Sequence, residues 1–182
     1  MTYRYGEFIM QLKDIKVKIK LPYVGNIQGT WEPNDLEKKA AWEMYIELIT
    51  RVSVLNLKDD EGLLRESLSS LYSIFDTTRE ILKRYGPKVA IPNNDTGISF
   101  GYLSVTILNT VLRPLLSKWH PLLLDYENKK EASISILEHE KSWAMHNDFK
   151  KDIEYTNVIL KEYIEILSKV AGVPLLVMLE ED

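Results

Sequence analysis

The sequence predicts a mostly α protein: an antiparallel four-helix bundle with a short N-terminal strand, that strand paired with the C-terminal tail. Three observations carry the prediction. Two stretches, Leu64 to Tyr85 and Phe149 to Val170, place apolar or small side chains at alternating steps of four and three, the spacing of a helical seam. Between Thr96 and Leu124 only Arg113 and Lys118 carry formal charge, which suits a helix apolar on most sides and set at the centre of the bundle. Ile15 to Leu21 alternates apolar and basic residues without exception, the period-two pattern of a strand with one covered face.

Each element has its own signals. The strand ends at Pro22, and Gly25, Asn26 and Gly29 mark a loop. Glu32-Pro33-Asn34-Asp35 opens helix one, with acidic groups beside the positive end of the helix dipole. Its stripe is Leu36, Ala40, Ala41, Met44, Tyr45, Leu48, Ile49 and Val52, so the helix spans residues 34–55. Helix two begins after Asp59-Asp60 and stops at Gly86-Pro87. Residues 86–98 are rich in turn formers and form the clearest internal loop. Ser99 caps helix three, in which Pro114 and Pro121 each remove a backbone donor and predict kinks or breaks near Arg113 and His120. After the polar joint at Asn128 to Glu131, the longest helix spans residues 135–171 and closes at Gly172 and Pro174. The apolar tail, Leu175 to Leu179, is expected beside the strand, with its acidic end, Glu180-Glu181-Asp182, facing the lysines. No linker divides the chain, so residues 1–182 read as one domain: an arm (1–31), the bundle (34–171) and the tail (173–182).

Composition narrows the function. With 182 residues and 45% hydrophobic content, a single domain buries roughly 70% of its unfolded surface and needs no staple. There is no cysteine and there are three histidines, His120, His139 and His146, so thiol chemistry and thiolate zinc sites are excluded. The formal charge of −4 has the wrong sign for binding driven by phosphate neutralisation, and DNA is not an expected partner. The charge is uneven: residues 1–21 carry +3 and the remainder −7. Arg4, Lys13, Lys16, Lys18 and Lys20 against Glu7 and Asp14 make the strip, which reads first as a solvated strand face, with Lys16, Lys18 and Lys20 as its outer row, and otherwise as a surface for an acidic partner or RNA. Met1 to Met10 lacks a signal-peptide pattern and the uncharged stretch 96–112 is too polar to span a bilayer, so the expected location is cytoplasmic, with no membrane partner.

Most catalytic patterns are missing. Ser117, Ile136 and Trp143 stand three residues before the histidines, where a di-iron bundle places glutamate. The zinc-protease pair, the phosphate-cradling glycine loops and the nucleophile elbow do not occur. No metal or cofactor is expected, and the protein reads as a binder rather than an enzyme. Two arrangements survive. Arg113 and His120, seven residues apart, fall on one helical face if the helix continues through Pro114. The pair resembles the Arg-x(4 to 6)-His motif of the HEPN superfamily of helical ribonucleases. That resemblance implies that Arg113 stabilises phosphate charge and His120 assists attack by the 2′-hydroxyl without a metal. Pro114 and Pro121 depart from the family's pattern. The structural alternative pairs Arg113 with a carboxylate such as Asp76 or Glu43, while His120 caps its segment. The second arrangement is His139, Trp143 and His146 on one face of helix four, too widely spaced for one ion and expected as a solvated or partner-facing patch. Trp31, Trp119 and Trp143 sit near helix ends and are candidates for partner contact.

Gly29-Thr30-Trp31-Glu32-Pro33, Ala41 to Leu48, Asp76 to Leu82 with Arg84-Tyr85-Gly86-Pro87, Leu112 to Leu116 with Trp119-His120-Pro121, and Val170 to Pro174 together resemble a family of small uncharacterised bacterial proteins. The resemblance implies a bacterial source and brings no activity. The leading expectation is a non-catalytic interaction or assembly protein, an accessory component of a bacterial complex, whose partner is another protein or a second copy of itself. The rivals are a HEPN-like ribonuclease, with RNA as its partner, and a small-ligand sensor with a cavity under the 87–98 loop lined by helix three.

Overall fold

A computed structural model describes residues 14–51, 62–93, 95 and 97–176. The protein is mostly helical, with a two-stranded antiparallel sheet at its N-terminal end. The strands are β1 (Ile15–Leu21) and β2 (Gly25–Trp31). The helices are α1 (Asp35–Ile49), α2 (Leu64–Tyr85), α3 (Phe100–Ile107), α4 (Arg113–Glu127), α5 (Ile136–Lys141) and α6 (His146–Ala171).

β1 alternates as its sequence requires: Ile15, Val17, Ile19 and Leu21 are buried, and Lys16, Lys18 and Lys20 face out. Its partner corrects the expected tail pairing. Residues 25–31, where Gly25, Asn26 and Gly29 read as loop, form β2 in a register running from Ile15 opposite Trp31 to Leu21 opposite Gly25. β2 has only two buried apolar anchors, Ile27 and Trp31, so its composition hides a strand that the ladder to β1 makes. The described part of the tail is held differently: the Tyr45 hydroxyl donates to the Pro174 carbonyl (3.3 Å) and accepts from the Leu176 amide (2.7 Å). Residues 177–182, including the acidic end expected near the lysines, lie outside the described residues.

α1 starts with a capping box. The Asn34 side chain accepts from the amides of Leu36 and Glu37, and the Glu37 carboxylate accepts from the Asn34 amide. The predicted stripe is buried at Ala40, Ala41, Met44, Tyr45 and Leu48. The helix ends at Ile49 instead of residue 55, and in its last turn the Thr50 hydroxyl bonds the Ile46 carbonyl (2.8 Å) while the Arg51 amide tightens to the Leu48 carbonyl (3.2 Å). Residues 52–61 lie outside the described set.

The seams of α2 and α6 converge on α1, which packs against both. All seven predicted seam positions of α6 are buried. α1 is therefore where the two seams meet, its small Ala40 and Ala41 allowing close approach. α3 keeps an open side, with Tyr102 45% and Val105 41% exposed. Its start is pinned by the loop, where Pro87–Val89 forms a turn of 3-10 helix. A Cβ on Gly101 would lie 2.7 Å from the Ala90 Cβ, so only glycine lets the loop pack this closely.

The prolines do not break the third helix. α3 runs through a π-helical turn, Leu108–Leu112, directly into α4. The Arg113 amide reaches back to the Leu108 carbonyl, five residues away, and the wider turn makes room for the Pro114 ring that would clash in an α-helical interior. Pro121 lies inside α4. The last helix is broken, contrary to expectation. α5 and α6 are separated by a turn in which the Trp143 amide bonds the Glu140 carbonyl (3.2 Å) and the His146 amide bonds the Trp143 carbonyl (2.9 Å). Burying Trp143 requires that turn. α6 closes at Gly172, φ +71°, where the Val173 amide returns to the Ser168 carbonyl. No helix of the described residues is long and apolar enough to cross a membrane.

Candidate functional site

The outer face of the hairpin is the most polarised surface in the chain. Register places Lys16 opposite Thr30, Lys18 opposite Gln28 and Lys20 opposite Asn26. Partners directly opposite share a face, so three lysines lie beside three uncharged polar side chains. Residues 15–31 contain no acidic group, and the three lysines make no ion pair among the described residues. Asp14 and Glu32 flank the base of the hairpin, at the end away from its turn. At that turn the Val24 amide bonds the Pro22 carbonyl (2.8 Å). Tyr23 is held at φ +65°, a left-handed conformation uncommon for a side-chain-bearing residue. Its ring is 90% exposed and Val24 is 48% exposed.

The tryptophans considered for partner contact are elsewhere. Trp31, Trp119 and Trp143 are 1%, 0% and 9% exposed and offer no ring to a partner. Trp31 donates to Glu37. Trp119 stacks on Phe149 (4.6 Å between centroids) and donates to Asp152 (2.9 Å). Trp143 lies edge-on to Trp119 and stacks on Tyr126. Of the patch expected from His139, Trp143 and His146, Trp143 is buried and the two histidines are half-buried. His139 stacks flat on Tyr126 at 4.1 Å, and His146 Nδ1 lies 3.1 Å from the Glu140 carbonyl.

Arg113 and His120 both face α2 but keep different company. Arg113 is exposed; its Nε donates to Asn109 Oδ1 (3.1 Å) and its guanidinium lies 5.6 Å from the Phe75 ring centroid. Neither suggested carboxylate holds it, because Asp76 pairs with Arg79, and Glu43 with Arg84 and Tyr85. His120 is half-buried, edge-on to Tyr72, with Nδ1 3.2 Å from Arg65 Nη1. Arg65 in turn grips Glu127 through Nε and Nη2 (2.8 and 2.6 Å). This Arg65, His120 and Glu127 clasp joins α2 to α4, and nothing in the spacing along the chain announces it. Because Arg65 can only donate, His120 Nδ1 accepts and Nε2 carries the proton. Nε2 is buried without a partner. Burial first, and the Arg65 charge second, hold the imidazole pKa below its ordinary value against the pull of Glu127.

Two buried carboxylates organise the frame. Glu37, fully buried, accepts from Trp31 Nε1 (3.0 Å), the Asn34 amide (2.9 Å), the Phe100 amide (3.0 Å) and Asn93 Nδ2 (3.4 Å). It ties the end of β2 to the starts of α1 and α3. Burial pushes its pKa up, while the donated hydrogen bonds oppose the shift. Glu140 is 5% exposed and caps the first turn of α2, accepting from the Leu64 and Arg65 amides (2.8 and 3.4 Å). The capping-box spacing of Asn34 and Glu37 marks the local half of the first role; the distant partners had no signal.

Under the 87–98 loop lies an open cleft of about 380 Å³ lined by Asn34, Asp35, Leu36, Lys88, Ile91 and Asn93. It belongs to the start of α1 and contains no residue of the third helix. Among the described residues no three His, Asp or Glu side chains gather as a metal site would require. Comparisons with protein families, characterised proteins and solved structures gave no match.

Proposed function

We propose that the protein is a non-catalytic interaction protein, built on an antiparallel four-helix bundle, that docks a partner protein through the outer face of its N-terminal hairpin. The supporting observation is the placement of Lys16, Lys18 and Lys20 in one exposed row, with no acidic neighbour on the ribbon, ending at the exposed ring of Tyr23. Aromatic side chains are enriched as anchors of protein-recognition surfaces, and a row of like charge adds steering and register toward a partner of opposite charge. The experiment replaces Tyr23 with a photoreactive amino acid in cells that express the protein. A discrete cross-link is expected from position 23, absent from an exposed control position on α6 such as Glu154, and lost when Lys16, Lys18 and Lys20 are changed to glutamate. Cross-linking that is absent, or indifferent to the lysines, overturns the proposal.

A second reading is metal-independent RNA cleavage by Arg113 and His120: burial disfavours the charged imidazole, but a general base needs a free lone pair, and Nδ1 accepts from Arg65 while the protonated Nε2 is buried. The cation neighbour of His120 is thus Arg65, and Arg113 rests on Phe75. Cleavage of an RNA oligonucleotide in EDTA, leaving 2′,3′-cyclic phosphate ends and abolished by His120→Ala, is the result this reading requires.

A further inference from the structure

The form of the lysine row narrows what it can hold. Alternate residues of a strand are about 6.8 Å apart, so Lys16, Lys18 and Lys20 present ammonium groups at the repeat of alternate side chains in another extended chain. Their cross-strand neighbours Asn26 and Gln28 add amide donors and acceptors to the same face, able to meet carboxylates or a peptide backbone. Tyr23 closes the row at one end. Its backbone is held in a left-handed conformation, a strain that exposed turns normally assign to glycine, and the result is a ring projected into solvent beyond Lys20.

The alternative polyanion, a single-stranded nucleic acid, fits less well. Strand-tracking surfaces interleave cations with aromatic platforms, one base to a ring, and among the described residues no ring lies between these lysines. The hairpin's charge of +3 is set in a chain whose remainder carries −7. A short acidic peptide places its charges on the row, whereas a long phosphate backbone runs past it along a ribbon whose residues 15–31 hold no further cation.

We infer that the partner segment is an extended acidic peptide, with carboxylates at alternate positions along the lysine row and an apolar side chain against Tyr23. The inference rests on the docking reading above and adds the chemistry of the partner.

The test titrates the full chain into a fluorescein-labelled peptide of alternating glutamate and threonine ending in leucine, read by fluorescence anisotropy at 50 mM NaCl. Binding is expected, weakened about tenfold or more by Lys16→Glu, Lys18→Glu and Lys20→Glu together, and about as much by 500 mM NaCl. Tyr23→Ser should weaken it severalfold. The same lysines changed to glutamine keep the measurement valid if the reversed variant fails to fold, and should fall between wild type and reversal. Absence of peptide binding, or binding unaffected by both lysine variants, overturns the inference. So does lysine-dependent binding of a uridine decamer tighter than that of the peptide. Lysine-dependent cross-links from position 23 that persist when the peptide fails would leave the docking reading standing and remove only the acidic segment; loss of both removes both.

Discussion

Glu37 and His120 are both polar side chains withdrawn from water where chain segments meet, yet their surroundings are opposite. Glu37 is completely buried and every donor around it is aimed at its two oxygens: an indole N–H, two helix-start amides and a side-chain amide. His120 is half-buried beside a cation, with one nitrogen accepting from Arg65 and the other sealed off without a partner. Low dielectric strengthens a satisfied polar centre and penalises an unsatisfied one. The first region is therefore a fixed knot holding strand, loop and two helices, and the second is a clasp whose groups keep partial access to water and lose little on release.

That contrast can be broken by mutation. Glu37→Ala strands the Trp31, Asn34 and Phe100 N–H donors, while Asn93 keeps the Glu32 carbonyl, and is expected to cost about 3 kcal/mol or more in folding stability, read by chemical denaturation; a loss under 1 kcal/mol would show that the knot is not a unit. Gly101→Ala acts on the same region through sterics alone. The new methyl would press on Ala90 beside the Phe100 amide that Glu37 holds, for an expected loss of about 1–3 kcal/mol. At the clasp, Arg65 and Glu127 are each about 30% exposed, so a double-mutant cycle with Arg65→Met and Glu127→Gln should return a coupling of only about 1 kcal/mol.

The smallest effect is the most diagnostic, because the two centres respond to pH with opposite sign. The folded pKa of His120 lies below its ordinary 6.5, so its contribution is fully present above pH 6.5 and is lost as pH falls through the folded value. The folded pKa of Glu37 lies above its ordinary 4.5, so its contribution is fully present below pH 4.5 and is lost as pH rises through the folded value. Melting temperatures across pH 4–8 should therefore lose the first slope in His120→Gln and the second in Glu37→Gln. A wild-type profile unchanged by either substitution would refute both assignments.

Much of the architecture was legible because local chemistry and tertiary demand coincide. The alternation of Ile15 to Leu21, the seams of α2 and α6, the Ser99 cap and the stops at Gly86 and Gly172 all appear where their residues require. The failures occur where a distant partner decides. Gly25 to Trp31 reads as turn because glycine, asparagine and glutamine outnumber its apolar anchors, and only β1 makes it a strand. Trp143 sits inside a continuous helical pattern, and the pull of Trp119, Tyr126 and Phe149 breaks the helix to bury it. At the candidate site, the lysine row was visible in the alternation of β1, but its polar neighbours and the projecting Tyr23 needed the register. Arg65 lies 55 positions from His120, so no spacing rule could join them.

The π-helical turn at Leu108–Leu112 has a bearing on insertions and deletions. Each residue turns an α-helix by about 100°, and a π turn absorbs one residue more than an α turn over the same length. Deleting a single residue there would restore regular winding and, because the turn absorbs the extra residue, would leave Trp119 and Leu123 facing the core. The same deletion within residues 115–118 of the regular α4 would instead shift every following residue by about 100°, carrying Trp119 and Leu123 out of the core and His120 and Leu124 into their places. The third helix can therefore lose a residue at its π turn with its azimuth kept, whereas beyond that turn length is as strictly specified as identity is in the core.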